Sequence, residues 1–496
     1  MRSYRPASAP AESTRDAVCA GLIGFTYTRF VGTEEMAEAT AAQRLARWVT
    51  RLRYEDLPPD VIIHAKRCML DTLGVQIRGA TLPWILPVYE YVRSIGGNGA
   101  ATISYYGDRV ATPYAAYANS TFSYSCELQH HGSPESAHPG VIVIPAIQAL
   151  AEQLGSTGKE IIVAMVVGYE VQGALGTALF KPAFHLYFNS KTRHFHPQGI
   201  FGPFSAAAAA GKLMGLTEDQ LAHAFAIAGS HASAPLEYDQ SGGEVKRIHG
   251  AIGARSGIQA AFLAKAGLTG PLTIFEGRHG IFAAFGGSKP DSAQLFSEMG
   301  QPYCITRCRY RIYPTIGSQH NALDVLNDLI KAHSFHHRDV ESIRVGIRER
   351  AIPHVTTITR PHDVISAQAS LGFSIGLRLV KGSNSLDMYI DPAMWRDPDV
   401  LAIADKLQAY ALENKTYPRM TRLEIRLKNG RVLEGEQGPA RGSETLPFTQ
   451  EVLDEKFRSL ASVVLSRDRV DRIMETVAQL EELPSLAQLV PLLQKR

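Results

Sequence analysis

Val141-Ile-Val-Ile-Pro-Ala-Ile-Gln-Ala-Leu-Ala-Glu-Gln-Leu154 is a nearly continuous apolar run that stops at Gly155, and Thr157-x-x-Glu160 then opens a second run, Ile161 to Leu179. The first run reads as a helix ended by glycine. The Thr/Glu pair reads as a capping box, in which each side chain satisfies a free backbone N–H at a helix start. The device recurs. Phe204 to Met214, with Ala206 to Ala210 in a row, ends at Gly215, and Thr217-x-x-Gln220 caps Leu221 to Ala228. Links this short join antiparallel neighbours. Ile252 to Ala266 is a further apolar helix, stopped by Gly267. The alanines and glycines on these helices permit close approach. They also leave room for a pocket, and tight packing without one is the equal alternative.

Outward from this centre the pattern stays helical. Ala41 to Leu52 carries Leu45, Trp48, Val49 and Leu52 at helical spacing. Asp60 to Ile77 carries Ile63, Ala65, Leu70, Leu73 and Val75, with Pro58 and Pro59 suited to its start. After Gly287 the character changes. Val340 to Val345 and Leu423 to Leu427 are strand-like, and the latter meets Asn429-Gly430, a hairpin signal, before Val432 to Glu436. A helix, Asn321 to Lys331, lies between Pro314 and the first strand. From Thr449 the tail is helical again, with Val463, Val464, Val470, Ile473, Met474 and Val477. The expected fold is mainly α, a large all-helical domain plus a smaller α+β domain. Its divisions are an N-terminal extension (1–38), the first part of the helical domain (39–287), the α+β domain (288–440) and C-terminal helices returning to the helical domain (441–496).

Composition narrows the function. The 496 residues carry 51 Lys+Arg against 48 Asp+Glu, a formal charge of +3 without a dense basic run, which excludes a nucleic-acid footprint. Hydrophobic residues at 45% and charged residues at 20% exclude disorder of the whole chain. Five cysteines (Cys19, Cys68, Cys126, Cys304, Cys308) are few and odd in number, so a reducing cytoplasm is expected rather than a disulfide framework. No membrane span is expected, because the best candidate, Ile161 to Phe180, carries Glu170 and Gln172. Dinucleotide, P-loop, nucleophile-elbow and zincin motifs are absent. Cys304-x-x-x-Cys308 has the wrong spacing for a zinc ribbon and lacks companions for an iron–sulfur cluster.

What remains is histidine and its basic neighbours. Four loops precede helices: Glu127-Leu-Gln-His130-His131 through His138-Pro139; Arg193-His194-Phe195-His196-Pro197; Glu244-Val-Lys246-Arg247-Ile-His249; and Tyr313-Pro314 through His320-Asn321. Helix N-termini offer free N–H groups and partial positive charge, and Lys and Arg add full charge. Together they suit an anion with several carboxylates. Neutral histidines supply acid–base chemistry near pH 7. Each histidine taken alone is more often a cap or a surface residue, and metal binding by His130, His131 and His138 is a minor option.

These segments resemble the MmgE/PrpD family, which includes 2-methylcitrate dehydratase, cis-aconitate decarboxylase and iminodisuccinate epimerase. The resemblance rests on His138-Pro139-Gly140, Gly168-Tyr169-Glu170-Val171, Phe195-His196-Pro197-Gln-Gly199, and the run from Gly202 to Gln220. It continues through Ile227 to Ser230, Val245-Lys246-Arg247-Ile-His249, Phe282 to Gly286, and Tyr313-Pro314 with His320. It covers roughly residues 41–480 and is densest at 138–286. It implies that the α+β domain is a lid, that the site lies in the cleft, that the protein is a homodimer, and that no metal or organic cofactor takes part. It implies site residues His138, His196, Lys246 and His320. Two positions depart from the family pattern. The usual acidic cluster before His138 is replaced here, so that Glu127, His130 or His131 takes its role. The usual Ser-Leu-Pro-Tyr reads Ser370-Leu-Gly-Phe373, without the hydroxyl.

The family chemistries all develop charge beside a carboxylate, which fixed positive charge must stabilise. Lys246 with Arg247 is the expected clamp, His138 and His196 the acid and base in either order, and His320 a contribution from the lid. Glu127, His130 and His131 are the further expected binding residues. The expected activity is a cofactor-independent lyase on a small di- or tricarboxylate, first a 2-methylcitrate dehydratase. The alternatives are a decarboxylase or epimerase on the same scaffold, or a carboxylate-binding member without catalysis.

Overall fold

Thr40 accepts a hydrogen bond from the Gln43 N–H and so starts the first helix, α1 (Ala41–Arg51), in a computed structural model that describes residues 39–132, 137–180, 194–238, 243–286, 292–413 and 420–495. The expected extension 1–38, Cys19, Arg193 and residues 133–136 of the first histidine loop lie outside the described residues. Residues 40–496 form one compact unit. With 59% helix and, among the described residues, two small sheets, the chain is mainly α.

The helices that follow are α2 (Pro59–Gly79), α3 (Leu86–Ile95), α4 (Thr112–Ser123), α5 (Gly140–Leu154), α6 (Gly158–Phe180), α7 (Pro197–Leu213), α8 (Glu218–Gly229) and α9 (Lys246–Lys265). A two-residue ribbon, β1 (Ala101–Thr102) with β2 (Arg109–Val110), precedes α4. The capped starts form as read. Glu160 accepts from the Thr157 N–H at 2.8 Å, and Thr217 accepts from the Gln220 N–H at 3.2 Å. Gly155 has φ +70° and Gly215 φ +63°, the left-handed stops that glycine reaches without strain. Two starts move. α7 begins at Pro197 rather than Phe204, and α9 at Lys246 rather than Ile252. Their first turns carry polar site residues, which hide them from an apolar pattern. Lys246, Arg247 and His249 therefore stand on a helix and not on the loop before it.

The small residues turn out to serve close packing of α7 on α9. A Cβ added to Gly253 would lie 2.8 Å from the Gly202 Cα, and one on Gly257 would lie 2.4 Å from the Ala206 Cβ. α6 is long and apolar enough to cross a membrane by composition, but its residues from Ile161 to Leu179 are buried within the fold.

A four-stranded sheet, in the order Leu407–Ala411, Val340–Ile347, Thr421–Leu427, Val432–Gln437, carries the later part of the chain. β3 (Val340–Ile347) pairs antiparallel with β5 (Thr421–Leu427), Ile343 opposite Ile425, and β5 pairs with β6 (Val432–Gln437). Gly430, φ +85°, makes the expected hairpin. β4 (Leu407–Ala411) runs parallel to β3 at the edge and was not expected; its five residues, three half-buried and two exposed, give no clear alternation. Helix α10 (His320–Ala332) lays Leu323, Leu326 and Leu329 in one core with Ile343, Val345, Ile425 and Leu433 of the sheet. This core draws on residues 313–433. The larger core draws on 41–310 and on α12 (Gln450–Ala461) and α13 (Arg467–Ala478). Helix α11 (Leu371–Lys381) lies between α10 and α12 in the chain.

Asp324 on α10 offers a test of this core. Tyr313 donates to its Oδ1 at 2.9 Å. Burial pushes its carboxyl up to about 6, against the hydrogen bond from Tyr313 and the charges of Arg441 and Arg309. A folded pKa above the unfolded one makes a contribution that is complete below pH ~3.9 and is lost as pH rises through about 6. Melting temperatures of the wild type and Asp324→Asn, compared from pH 4 to 8, should diverge in favour of the variant as pH rises. Parallel curves would refute the assignment.

Candidate active site

Glu127 is the centre. It follows α4 on a turn, with φ +57°, and its carboxylate is buried. Lys246 Nζ donates to Oε1, and Arg311 Nη1 lies 3.3 Å from Oε2. Burial alone would raise this carboxyl, but the two cations outweigh it and hold it below its ordinary value. Lys246 begins α9, and its side chain remains 21% exposed. Its Nζ lies 5.8 Å from the Tyr124 ring centre.

Arg311 ties this pair to His138, with Nη2 3.5 Å from His138 Nε2. The other ring nitrogen, Nδ1, is 2.9 Å from the His130 carbonyl oxygen. A carbonyl can only accept, so Nδ1 carries the hydrogen and Nε2 presents a lone pair. Burial, then Arg311 and His131, push His138 well below its ordinary pKa, so the ring is neutral. The His131 ring stands 4.8 Å from it, and the His131 backbone exchanges two 2.8 Å hydrogen bonds with Arg309.

His196 caps α7, its N–H held by the Ala234 carbonyl at 2.7 Å. Its Nδ1 meets His249 Nδ1 at 3.0 Å, and its Nε2 lies 3.3 Å from the Tyr124 hydroxyl. Only one hydrogen fits between the two Nδ1 atoms, so the rings share a single donor. Burial, His249 and Lys246 push His196 well down, and burial and Lys246 bring His249 to about 4. Tyr238 lies edge-on to both rings, at 5.6 and 5.5 Å. Glu127, Ala137, His194 and Ala234 all have positive φ, so non-glycine residues in the left-handed region flank the site on several sides.

His320 is the first residue of α10. Its ring is edge-on to Tyr313 at 5.3 Å, with Nε2 3.3 Å from the Thr315 carbonyl. Burial, then the charges of Arg309 and Arg311, push its pKa well down. Arg311 is thus the group common to Glu127, His138 and His320.

Two expectations change. His130 does not face this group. Its ring, 1% exposed, spans from the Asp71 carboxylate (2.8 Å) to the Tyr169 hydroxyl (2.8 Å), and only its backbone carbonyl serves His138. Arg247 does not join Lys246, because adjacent residues on a helix do not share a face. It packs over Trp84 at 4.4 Å, pairs with Glu244 and donates to the Ser125 carbonyl at 2.9 Å. Arg311 stands where Arg247 was expected. Phe373 is fully buried in a separate apolar cluster against Tyr389, so the hydroxyl beside the histidines comes from Tyr124 instead. Of the residues not foreseen, His249 was findable: Lys246-x-x-His249 puts both on one helix face. Arg311 and Tyr124 carried no spacing signal.

A family model for the MmgE/PrpD N-terminal domain matches residues 43–294, and one for the MmgE/PrpD C-terminal domain matches 313–482. The chain belongs to the MmgE/PrpD family. Within it, a cis-aconitate decarboxylase-like protein of Aspergillus oryzae, oryM, is 26% identical, covering 93% of this chain and 98% of the relative. The cis-aconitate decarboxylase of Aspergillus terreus is 27% identical (92% and 96%), and that of Homo sapiens 29% (89% and 92%). This MmgE/PrpD chain is a lyase. The N-terminal match holds Glu127, His138, His196 and Lys246, and the C-terminal match holds His320. Arg311 lies between the two.

Proposed function

We propose that the protein decarboxylates cis-aconitate or a closely similar unsaturated tricarboxylate. The observation that carries this is the convergence of Lys246 and Arg311 on one buried carboxylate, Glu127, beside the neutral rings of His138 and His196. A site that holds one carboxylate by two cations can hold another. The names of the relatives favour decarboxylation over the 2-methylcitrate dehydration expected first.

The chemistry follows from charge. Lys246, the more exposed cation, turns to a substrate carboxylate while Arg311 keeps Glu127. The bond to a second carboxylate breaks and releases CO2. Its electron pair becomes a new methylene double bond, and the original alkene pair takes a proton at the carbon beside the held carboxylate. Negative charge is greatest there in the transition state, so the Lys246 ammonium is worth most at that moment. The proton comes from the His138 or the His196–Tyr124 side, whose imidazoles gain basicity when a polyanion binds.

Proton NMR in D₂O with cis-aconitate, citrate, 2-methylcitrate and iminodisuccinate tests the reading. Loss of cis-aconitate with a methylene product is expected. Conversion of the 2-methylcitrate methyl doublet to an allylic methyl singlet would restore the dehydratase reading, and α-deuterium exchange alone would indicate an epimerase. A panel returned unchanged would defeat the reading.

A further inference from the structure

We propose that Cys68, His130 and Cys308 form a binding site for one divalent, thiol-preferring cation of the zinc class, beneath the catalytic loop. The three come from α2, from the loop before α5, and from the segment that leads to Arg311. Their ligand atoms all lie within 4.8 Å of one another, and all three residues are buried. Zinc bonds of ~2.3 Å to sulfur and ~2.0–2.1 Å to nitrogen place tetrahedral ligand atoms roughly 3.3–3.8 Å apart. Small side-chain rotations close that gap.

The surroundings are those of a ligand set. Asp71 Oδ2 is 2.8 Å from His130 Nδ1, which leaves Nε2 for a cation, the order in which a carboxylate orients a metal-bound histidine. Lys456 in turn holds Asp71 Oδ1 at 2.5 Å. Two phenols border the same spot: Tyr169 Oη is 2.8 Å from His130 Nε2, and Tyr310 Oη is 3.4 Å from Cys68 Sγ. Tyr169 yields Nε2 to the cation, and a phenol oxygen or a water completes four ligands. Charge also closes. Two thiolates balance a 2+ cation, and Asp71 balances Lys456, so the buried set is neutral, as a site withdrawn from bulk solvent requires. Loading releases two protons, one from Cys308 and one from the Cys68–His130 pair.

The cation would touch no substrate. It would pin α2, the loop whose His130 carbonyl fixes His138, and the start of the segment that carries Arg309 and Arg311. The pairing Cys304-x-x-x-Cys308 concealed it, because the partner of Cys308 is Cys68, far away in sequence.

The full chain, reduced and stripped by a chelator, should take up one Co²⁺ with a thiolate-to-cobalt absorption band in the near ultraviolet, and Zn²⁺ should displace it. Cys68→Ser and Cys308→Ser should each lose the band and weaken binding more than 100-fold. Cys126→Ser should keep it, since Cys126 is buried elsewhere, with its Sγ 3.6 Å from the Val75 carbonyl. Should the first two variants fail to fold, wild-type protein in mild denaturant decides: Zn²⁺ should shield Cys68 and Cys308 from alkylation and leave Cys126 unshielded. No stoichiometric uptake, a band that survives Cys308→Ser, absent shielding, or a Cys68–Cys308 disulfide in unreduced protein would each overturn the site.

Discussion

Lys246→Met should lower kcat/KM by about 10³-fold and leave the fold intact. Preorganised donors aimed at developing charge each contribute ~10²–10³ in rate, and Lys246 is a full cation. The fold survives because the side chain is part exposed and Arg311 still pairs Glu127. Lys246→Arg should not rescue, since a planar guanidinium cannot occupy a point-charge site shared with Glu127 and Tyr124. Rates of cis-aconitate loss beside near-ultraviolet circular dichroism measure both halves. A Lys246→Met enzyme with near-normal turnover would remove Lys246 from the mechanism.

The residues that sequence reasoning found here share one property: each announces itself locally. His138 and His196 each precede a proline that opens a helix, and Lys246 and His320 stand just ahead of the apolar positions of theirs, so each lies beside a boundary that the sequence marks. Helices with one apolar face or a continuous apolar run were legible for the same reason. Helix α4 was not, since its buried face mixes Ala, Ser, Thr and Asn, satisfied by contacts such as Asn119 Oδ1 with the Ser104 N–H at 2.9 Å. The pairing of Arg311 with Glu127 was hidden more deeply. Nothing near either residue says that they meet. Arg247 looked the better partner for Lys246 because it is adjacent, and helix geometry turns adjacency into divergence. His130 misled in the opposite sense: a histidine in a catalytic loop proved to serve through its backbone, while its ring joins a buried network that no local pattern reveals.

That network yields the largest expected loss of stability. Lys456→Met should destabilise the fold by about 3–5 kcal/mol, the usual cost of leaving one partner of a buried ion pair behind. Lys456 comes from α12, near the end of the chain, and reaches Asp71 Oδ1 at 2.5 Å and the Leu128 carbonyl at 2.6 Å. Burial pushes the Asp71 carboxyl up, yet Lys456 and His130 hold it at about 2, so the carboxylate is charged and depends on both. Removing the ammonium strands that charge. Asp71→Asn with Lys456→Met removes both charges together, so the double variant should recover a large part of what the single variant loses; equal melting temperatures for single and double variants would show that the pair is not coupled. The loss should also reach catalysis. Leu128 and His130 lie between Glu127 and His138 on one loop, and Lys456 and Asp71 hold that loop from below. Measured well below its melting temperature, Lys456→Met should therefore show a reduced kcat, because Glu127 and His138 lose the common support that fixes their separation.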